Sequence, residues 1–396
     1  KGCVMRSFHL SENEMNEILK HNTKPIFMAS TAKVAENYQF LRKHLLHADV
    51  YYAMKANPTP AILETVAGLG SNFDVASAGE IEMLGALGID GSRMIYANPV
   101  KDERGLEAAR AYGVKRMTFD DVSEIEKIAA FVPDADVLVR VAVHNRRAHV
   151  DLNTKFGARP EDAIPLLLEA KAAGLNPVGI CFHVGSQSLS TAAYEEALLF
   201  VHGLFDEAKA AGLDLTDLDI GGGFPVPDID GLAVDVAAMM ETIDRQIVRL
   251  FPDTNVCCEP GRFIPGTAAN FVAMVIGTKD RNGHPWYILD EGIYGAFSGI
   301  LFDHWHYPLF TFANGPVEKA TIAGPSCDGI DVLYEGYETP RLQIGDHVLA
   351  TDMGAYTSVS ATRFNGFEIA PTYVYEEEIA QDAKSEDQDI RAAARS

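Results

Sequence analysis

The chain has 396 residues, 47% of them hydrophobic and 22% charged, enough apolar material for two packed domains and too much for a disordered chain. A formal net charge of -23 argues against nucleic-acid and anionic-membrane partners and favours solubility and cationic ligands. Five cysteines, Cys3, Cys181, Cys257, Cys258 and Cys327, are odd in number and scattered without a CxxC spacing, so a reducing cytoplasm is expected rather than a zinc site or a disulfide framework.

The opening residues, KGCVMRSFHLSENEMNEILK, contain no long apolar run, and neither a signal peptide nor a membrane span is expected there. Lys1 is not an initiator residue, so a trimmed start is expected. From Val50 to about Arg262 strand-like runs alternate with helical patterns: VYYAM, FDVAS, MIYAN, RMTFD, VLVRVAV, PVGICFHVG, DLDIGGGF and NVCCEPGR are separated by stretches such as EIEMLGALG and DAIPLLLEAKAAG. That alternation implies parallel strands joined by right-handed crossovers, and about eight units close a (β/α)8 barrel. No Gly-rich fingerprint follows the first run, which disfavours an open doubly wound sheet.

After Arg262 the texture changes to NFVAMVIGTKD, HPWYILD, PVEKATIAGP, QIGDHVLATD and FEIAPTYVYE, strands between Gly, Pro and Asp breakers that predict a mainly β domain. PIFMAS near the N-terminus is expected to add a strand to it. The expected organisation is a barrel over residues 31–268, a β domain from 1–30 and 269–375, and a frayed helix or mobile tail over 376–396.

Polar residues cluster at the C-terminal ends of the barrel runs, the face where such barrels place active sites: Lys55, Asp74, Arg140, His183, Ser186, Gly221-Gly222-Gly223, Glu259 and Arg262. Lys55 ends an apolar strand, either as a surface lysine or as a nucleophilic amine in a dry pocket. The glycine triplet is either a plain turn or a run of backbone N–H groups open to a phosphate, with Arg262 and Ser186 as further anion ligands. Glu259 either pairs with Arg262 or, as a carboxylate, keeps a pyridine nitrogen protonated, and His183 is either a core residue or a flat surface for a heterocycle. In the β domain, Cys327 of GPSCDGID is either a structural thiol or a proton donor, while Asp328 and Asp303 are candidates for a substrate ammonium. His304 and His306 share the i, i+2 spacing of one strand face, but no further ligands accompany them and a metal site is not expected. Together these features are read as pyridoxal 5′-phosphate (PLP) held by Lys55 as a Schiff base.

The motifs YAMKANP, FDVASAGE, CFHVGSQ, DIGGGFP, EPGR, GIYGAFSGILFDH, GPSCDGIDVL and YTSVSATRFNGF resemble those of the fold type III PLP decarboxylases of basic amino acids, the ornithine decarboxylase group with its bacterial lysine/ornithine members. The resemblance implies an alanine racemase-like barrel and β domain, Lys55 as the Schiff-base lysine, His183 stacked on the ring and Glu259 on its nitrogen. It implies Ser186, Gly221 to Gly223, Arg262 and Tyr356 as phosphate ligands, with Asp74 and Arg140 beside Lys55. It further implies a homodimer with shared active sites, in which Cys327 and Asp328 enter from the other subunit while Asp303 and Phe364 line the substrate. The implied reaction is decarboxylation of lysine or ornithine to cadaverine or putrescine.

Diaminopimelate decarboxylase is disfavoured by Cys327-Asp328-Gly329, which lacks the Cys-Glu-Ser pattern, and alanine racemase by Glu259. A non-catalytic relative that binds a regulatory protein is disfavoured by the retention of Lys55 with Cys327. The two substrates differ by one methylene, worth only about 1 to 3 kcal/mol of discrimination.

Overall fold

Eight short strands pair in chain order and close into a parallel barrel: Asp49–Ala53, Asn72–Val75, Met94–Tyr96, Arg116–Phe119, Asp136–Val141, Asn176–Phe182, Asp217–Asp219 and Asn255–Cys258. Closure is made where Asp49 and Val50 register with Cys257 and Cys258. The strands are nearly continuous apolar runs because barrel strands are covered on both faces. In this computed structural model the described residues are 6–21, 25–143, 155–226 and 234–380. They divide into one unit within residues 35–264 and a second from residues 6–34 and 265–380.

The barrel helices start where a side chain satisfies their first free N–H groups. Ser77 accepts from Glu80 N–H, Asp102 from Gly105 N–H and Asp235 from Ala238 N–H. Helix Val236–Leu250 buries Val236, Met239, Met240, Ile243 and Ile247, one stripe at helical spacing. Inside the barrel Tyr51, Ile95, Leu138, Cys181 and Cys257 form an apolar layer. Burial pushes the thiols of Cys181, Cys257 and Cys258 well above their usual range, so these cysteines are core filling.

The two ends of the barrel differ. Arg116 and Asp217, the first residues of the fourth and seventh strands, form a half-buried ion pair that also takes in the Tyr51 hydroxyl at 3.0 Å. The opposite ends carry Lys55, Asp74, His183, the glycine triplet and Glu259. As counted from sequence, the triplet follows the seventh strand and EPGR the eighth.

The second unit is an eight-stranded sheet. Its path runs Leu309–Thr311, His347–Ala350, Ala269–Arg281, His284–Leu289, Val317–Ala323 and Val332–Pro340. Ile26–Ala29, from PIFMAS, pairs antiparallel with Ala269–Arg281 and parallel with Thr372–Val374. Phe271, Leu289, Phe297, Tyr307, Ile322 and Leu333 are central to its core.

Several elements depart from expectation. Val332–Pro340 and Leu309–Thr311 are strands the sequence reading passed over, the first because Glu335, Gly336 and Glu338 dilute its apolar alternation. His304 and His306 lie in an irregular segment, with His304 at φ 51°, and share no strand face. Glu376, expected to open the tail, instead accepts from Ser30 Oγ at 2.6 Å and from the N–H groups of Thr31 and Ala32 at 3.0 Å each. It thereby caps helix Thr31–His44, since a carboxylate satisfies free N–H groups at a helix start. The remainder of the expected tail from residue 381 lies outside the described residues.

Candidate active site

The first barrel strand passes into a single turn of 3-10 helix, Met54–Ala56, which carries Lys55. The lysine side chain is 46% exposed and its Nζ contacts the Asp74 carboxylate, itself only 1% exposed. Lys55 thus stands at the strand end, half exposed. The ion pair still sets Lys55 apart from an ordinary surface lysine, because its partner is buried with the other carboxylate oxygen, Oδ1, lacking a hydrogen bond. Glu80, held by Ala76 N–H at 2.6 Å, adds a further carboxyl whose proton affinity is raised by burial and by Asp74.

His183 follows the sixth strand and accepts the Gly185 N–H on Nδ1 at 2.9 Å. Burial, with the positive charges of Arg140 and Lys55, pushes it down to about 3. The ring is therefore neutral across physiological pH and suits a flat apolar contact better than proton transfer. Arg140, on the fifth strand, has its guanidinium 5.6 Å from the Phe156 ring, and its Nε and Nη2 are buried without hydrogen bonds.

Gly221 and Gly223 have φ of 64° and 96°, a region that favours glycine. A Cβ would stand 2.3 Å from Phe182 O at Gly221, 2.4 Å from Glu259 O at Gly222 and 2.3 Å from Gly185 O at Gly223. The triplet is thus wedged between the turns after the sixth and eighth strands. Tyr194 OH donates to Gly222 O at 2.8 Å and Ser188 N–H to Gly223 O at 2.8 Å, tying the Ser186 turn to the triplet. Arg262 is buried in the turn after the eighth strand.

Glu259 sits next to Asp219 and Asp74. Burial first, then those two carboxylates, holds its carboxyl well above the usual range, and its Oε1 is buried with no N–H or hydroxyl donor. Asp219, raised to about 6 mainly by burial, was not singled out from sequence. Its signal was an acid inside an apolar strand, two residues ahead of the first glycine.

Cys327, Asp328 and Phe364 gather in the β unit. Cys327 is exposed, and its N–H donates to Asn365 Oδ1 at 3.1 Å. The Phe364 ring stacks on Tyr294, whose hydroxyl reaches Asp328 Oδ2. Beside them lies a cavity of about 140 Å³ lined in part by Tyr294, Phe364, Ser326, Glu291 and Asp331. Tyr294 and Asn365 were not recognised from sequence. Asp303 follows the short helix Gly299–Phe302. Tyr356 has φ 55°, a strained conformation of the kind that persists at functional sites. Ser360 Oγ bonds Ser298 Oγ at 2.7 Å and Tyr356 O at 3.2 Å, which joins the Tyr356 segment to the start of the helix before Asp303.

The barrel-end groups test the fit of a cofactor. Asp74 Oδ1 and Arg140 Nε and Nη2 are buried without hydrogen bonds, while the Asp219 and Glu259 carboxyls face each other with a proton to share; a buried polar group left unpaired costs about 1 to 3 kcal/mol and a charged one more. Such a mixed set of anionic and cationic groups fits a polar heterocycle carrying a phosphate. The family described as pyridoxal-dependent decarboxylase, pyridoxal binding domain, matches residues 31–266. The chain belongs to the pyridoxal-dependent decarboxylases.

Its cofactor is PLP, and the orphaned polar groups of the barrel suit that molecule. The decarboxylase is 64% identical over 391 residues to a lysine/ornithine decarboxylase of Selenomonas ruminantium, covering 98% of this chain and 100% of that one. It is 37% identical over 382 residues to an ornithine decarboxylase of Caenorhabditis elegans, covering 91% and 90%. A solved lysine decarboxylase from Selenomonas ruminantium superposes with TM-score 0.92 at 64% identity, covering 96% of this chain and 100% of that one. A lysine/ornithine decarboxylase from Vibrio vulnificus complexed with cadaverine gives 0.87 at 34% identity, covering 92% and 99%. The barrel and β unit of this decarboxylase are therefore those of the alanine racemase-like fold type III. Among the described residues, no helix is long and apolar enough to cross a membrane.

Proposed function

We propose that this decarboxylase removes the α-carboxylate of L-lysine and L-ornithine, releasing CO2 with cadaverine or putrescine for polyamine synthesis. The observation that carries the reading is the 64% identity, over nearly the whole of both chains, to the Selenomonas lysine/ornithine decarboxylase. The Cys327-Asp328 loop and the carboxyls at the barrel end support it.

When bound, PLP supplies a protonated ring that takes up the electron pair left at Cα as CO2 departs. Lys55 is the amine that would hold its aldehyde, with the buried Asp74 carboxylate placed beside that nitrogen. Glu259 is assigned to hold the proton on the ring nitrogen. Neutral His183 offers a ring face. Ser186, Gly221 to Gly223, Arg262 and Tyr356 are assigned to the phosphate, and Arg140 to the cofactor's polar edge. Cys327 returns a proton to Cα, with Phe364 nearby on the substrate side. Asp303 and Asp328 receive the distal ammonium, which selects basic over neutral amino acids. The assembly proposed is a homodimer in which the Cys327-Asp328 loop serves the other subunit's site, open to a regulatory protein partner.

The test is direct. Purified protein is given equimolar lysine and ornithine, and cadaverine and putrescine are quantified. An absorbance band at about 420 nm, as expected for a PLP–lysine adduct, is followed in parallel and is lost in Lys55→Ala. Release of neither diamine by protein that carries the band sinks the substrate assignment; absence of the band from PLP-supplemented protein sinks the assignment of Lys55.

A further inference from the structure

Asp219 closes the seventh barrel strand, and none of the roles above uses it. Its side chain is completely buried. One oxygen, Oδ1, accepts the Gly221 N–H at 2.8 Å, an Asx-type turn that holds Gly221 in its left-handed conformation. The other, Oδ2, and Glu259 Oε1 are buried with no N–H or hydroxyl donor, and the two carboxyls share a hydrogen bond that requires one of them to carry a proton. The two backbones are also joined: Ile220 N–H donates to Cys257 O at 3.0 Å, and Glu259 N–H to Gly221 O at 2.9 Å. One carboxyl therefore grips the start of the triple-glycine turn and lies beside the carboxyl assigned to the ring nitrogen.

Two carboxylates buried together oppose each other's ionisation, and the opposition is relieved when a cation joins them. Asp74 adds to the opposition and Arg116 works against it from the other end of the barrel. A protonated ring nitrogen at Glu259 would serve as the relieving cation, and a second carboxyl makes Glu259 hold that proton more strongly. The same side chain fixes the turn that approaches the phosphate, so both ends of the cofactor depend on it.

We propose that Asp219 is a positioning residue for the cofactor: it anchors the triple-glycine turn through Gly221 and, as a second buried carboxyl, strengthens Glu259's hold on a protonated ring nitrogen. The inference rests on the PLP reading and on Glu259 as the partner of that nitrogen.

The test measures affinity by equilibrium dialysis after removal of the bound cofactor. The probes are PLP and its carbocyclic analogue, in which C–H replaces the ring nitrogen. Wild type is expected to prefer PLP, and Glu259→Gln to lose that preference. Asn at position 219 can still accept the Gly221 N–H, so Asp219→Asn is expected to bind the analogue within about twofold of wild type while its preference for PLP falls about tenfold. Asp219→Ala is expected to weaken both probes, and if it does not fold, Asp219→Asn alone carries the test. A wild-type preference that Glu259→Gln abolishes and Asp219→Asn leaves intact overturns the proposal alone. No wild-type preference overturns the Glu259 assignment, and the proposal with it.

Discussion

The Tyr294 hydroxyl donates to Asp328 Oδ2 at 2.5 Å, while the Phe364 ring stacks on Tyr294 at 4.1 Å between centroids. The bond holds the Asp328 carboxyl below its usual range, so it stays charged for an ammonium partner. Tyr294→Phe is expected to raise KM for both basic amino acids about tenfold, with a smaller change in kcat. Steady-state kinetics with lysine and ornithine check this, and an unchanged KM would mean that Asp328 does not need the tyrosine.

Gly222 has no room for a side chain, since a Cβ would meet Glu259 O at 2.4 Å and His183 Nε2 at 3.3 Å. Gly222→Ala is therefore expected to displace the turn after the eighth strand. Stability should fall by roughly 1 to 3 kcal/mol, the usual range for overpacking, and retention of PLP through gel filtration should fall with it. Full retention at wild-type stability would place the triplet away from the cofactor.

Cys327 is exposed, and its backbone is held by Asn365. In the role of proton donor to Cα proposed above, its loss should slow turnover and send the proton to the cofactor instead. Cys327→Ala is expected to lower diamine release by 10²-fold or so, within the range for general acid catalysis, and to generate pyridoxamine phosphate. Chromatography of the denatured reaction mixture reads both products; unchanged turnover and product would remove Cys327 from that role.

Glu291, 8% exposed, is raised to about 7, mainly by burial. The folded state therefore binds a proton that the unfolded chain has lost between about pH 4.5 and about pH 7. This group's contribution to stability falls as pH rises through that window and reaches its full cost above it. Glu291→Gln removes the titration, so the variant should gain on the wild type between pH 5 and pH 8 by at most roughly 3 kcal/mol. Denaturant midpoints at the two pH values decide it, and parallel shifts would show that Glu291 is not the titrating group.

Much of the site was visible in linear order because each barrel strand delivers its last residue to one end. Lys55, Asp74, His183 and Glu259 each sit at or near the end of an apolar run, and a closed parallel barrel converts that sequence position into a shared face. Asp219 and Tyr294 were less visible, since the significance of each depends on a residue far along the chain: Glu259 for the first, Asp328 for the second. Lys101, which no motif marks, is 1% exposed, with its Nζ donating to the carbonyls of Asn98, Pro99 and Thr118.

The amino-acid order alone determined the (β/α)8 barrel, the β character of the second half and the reaction class, because hydrophobic period, strand-end position and motif are local properties of the chain. Only the tertiary structure decided that Lys55 lies half exposed against a buried Asp74, that Glu376 caps a helix some 345 residues before it, and that Asp219 holds the Gly221 N–H beside the Glu259 carboxyl. Those outcomes depend on which distant groups share a buried space. There the loss of water makes a charge or an N–H seek whichever partner the packing has placed within reach.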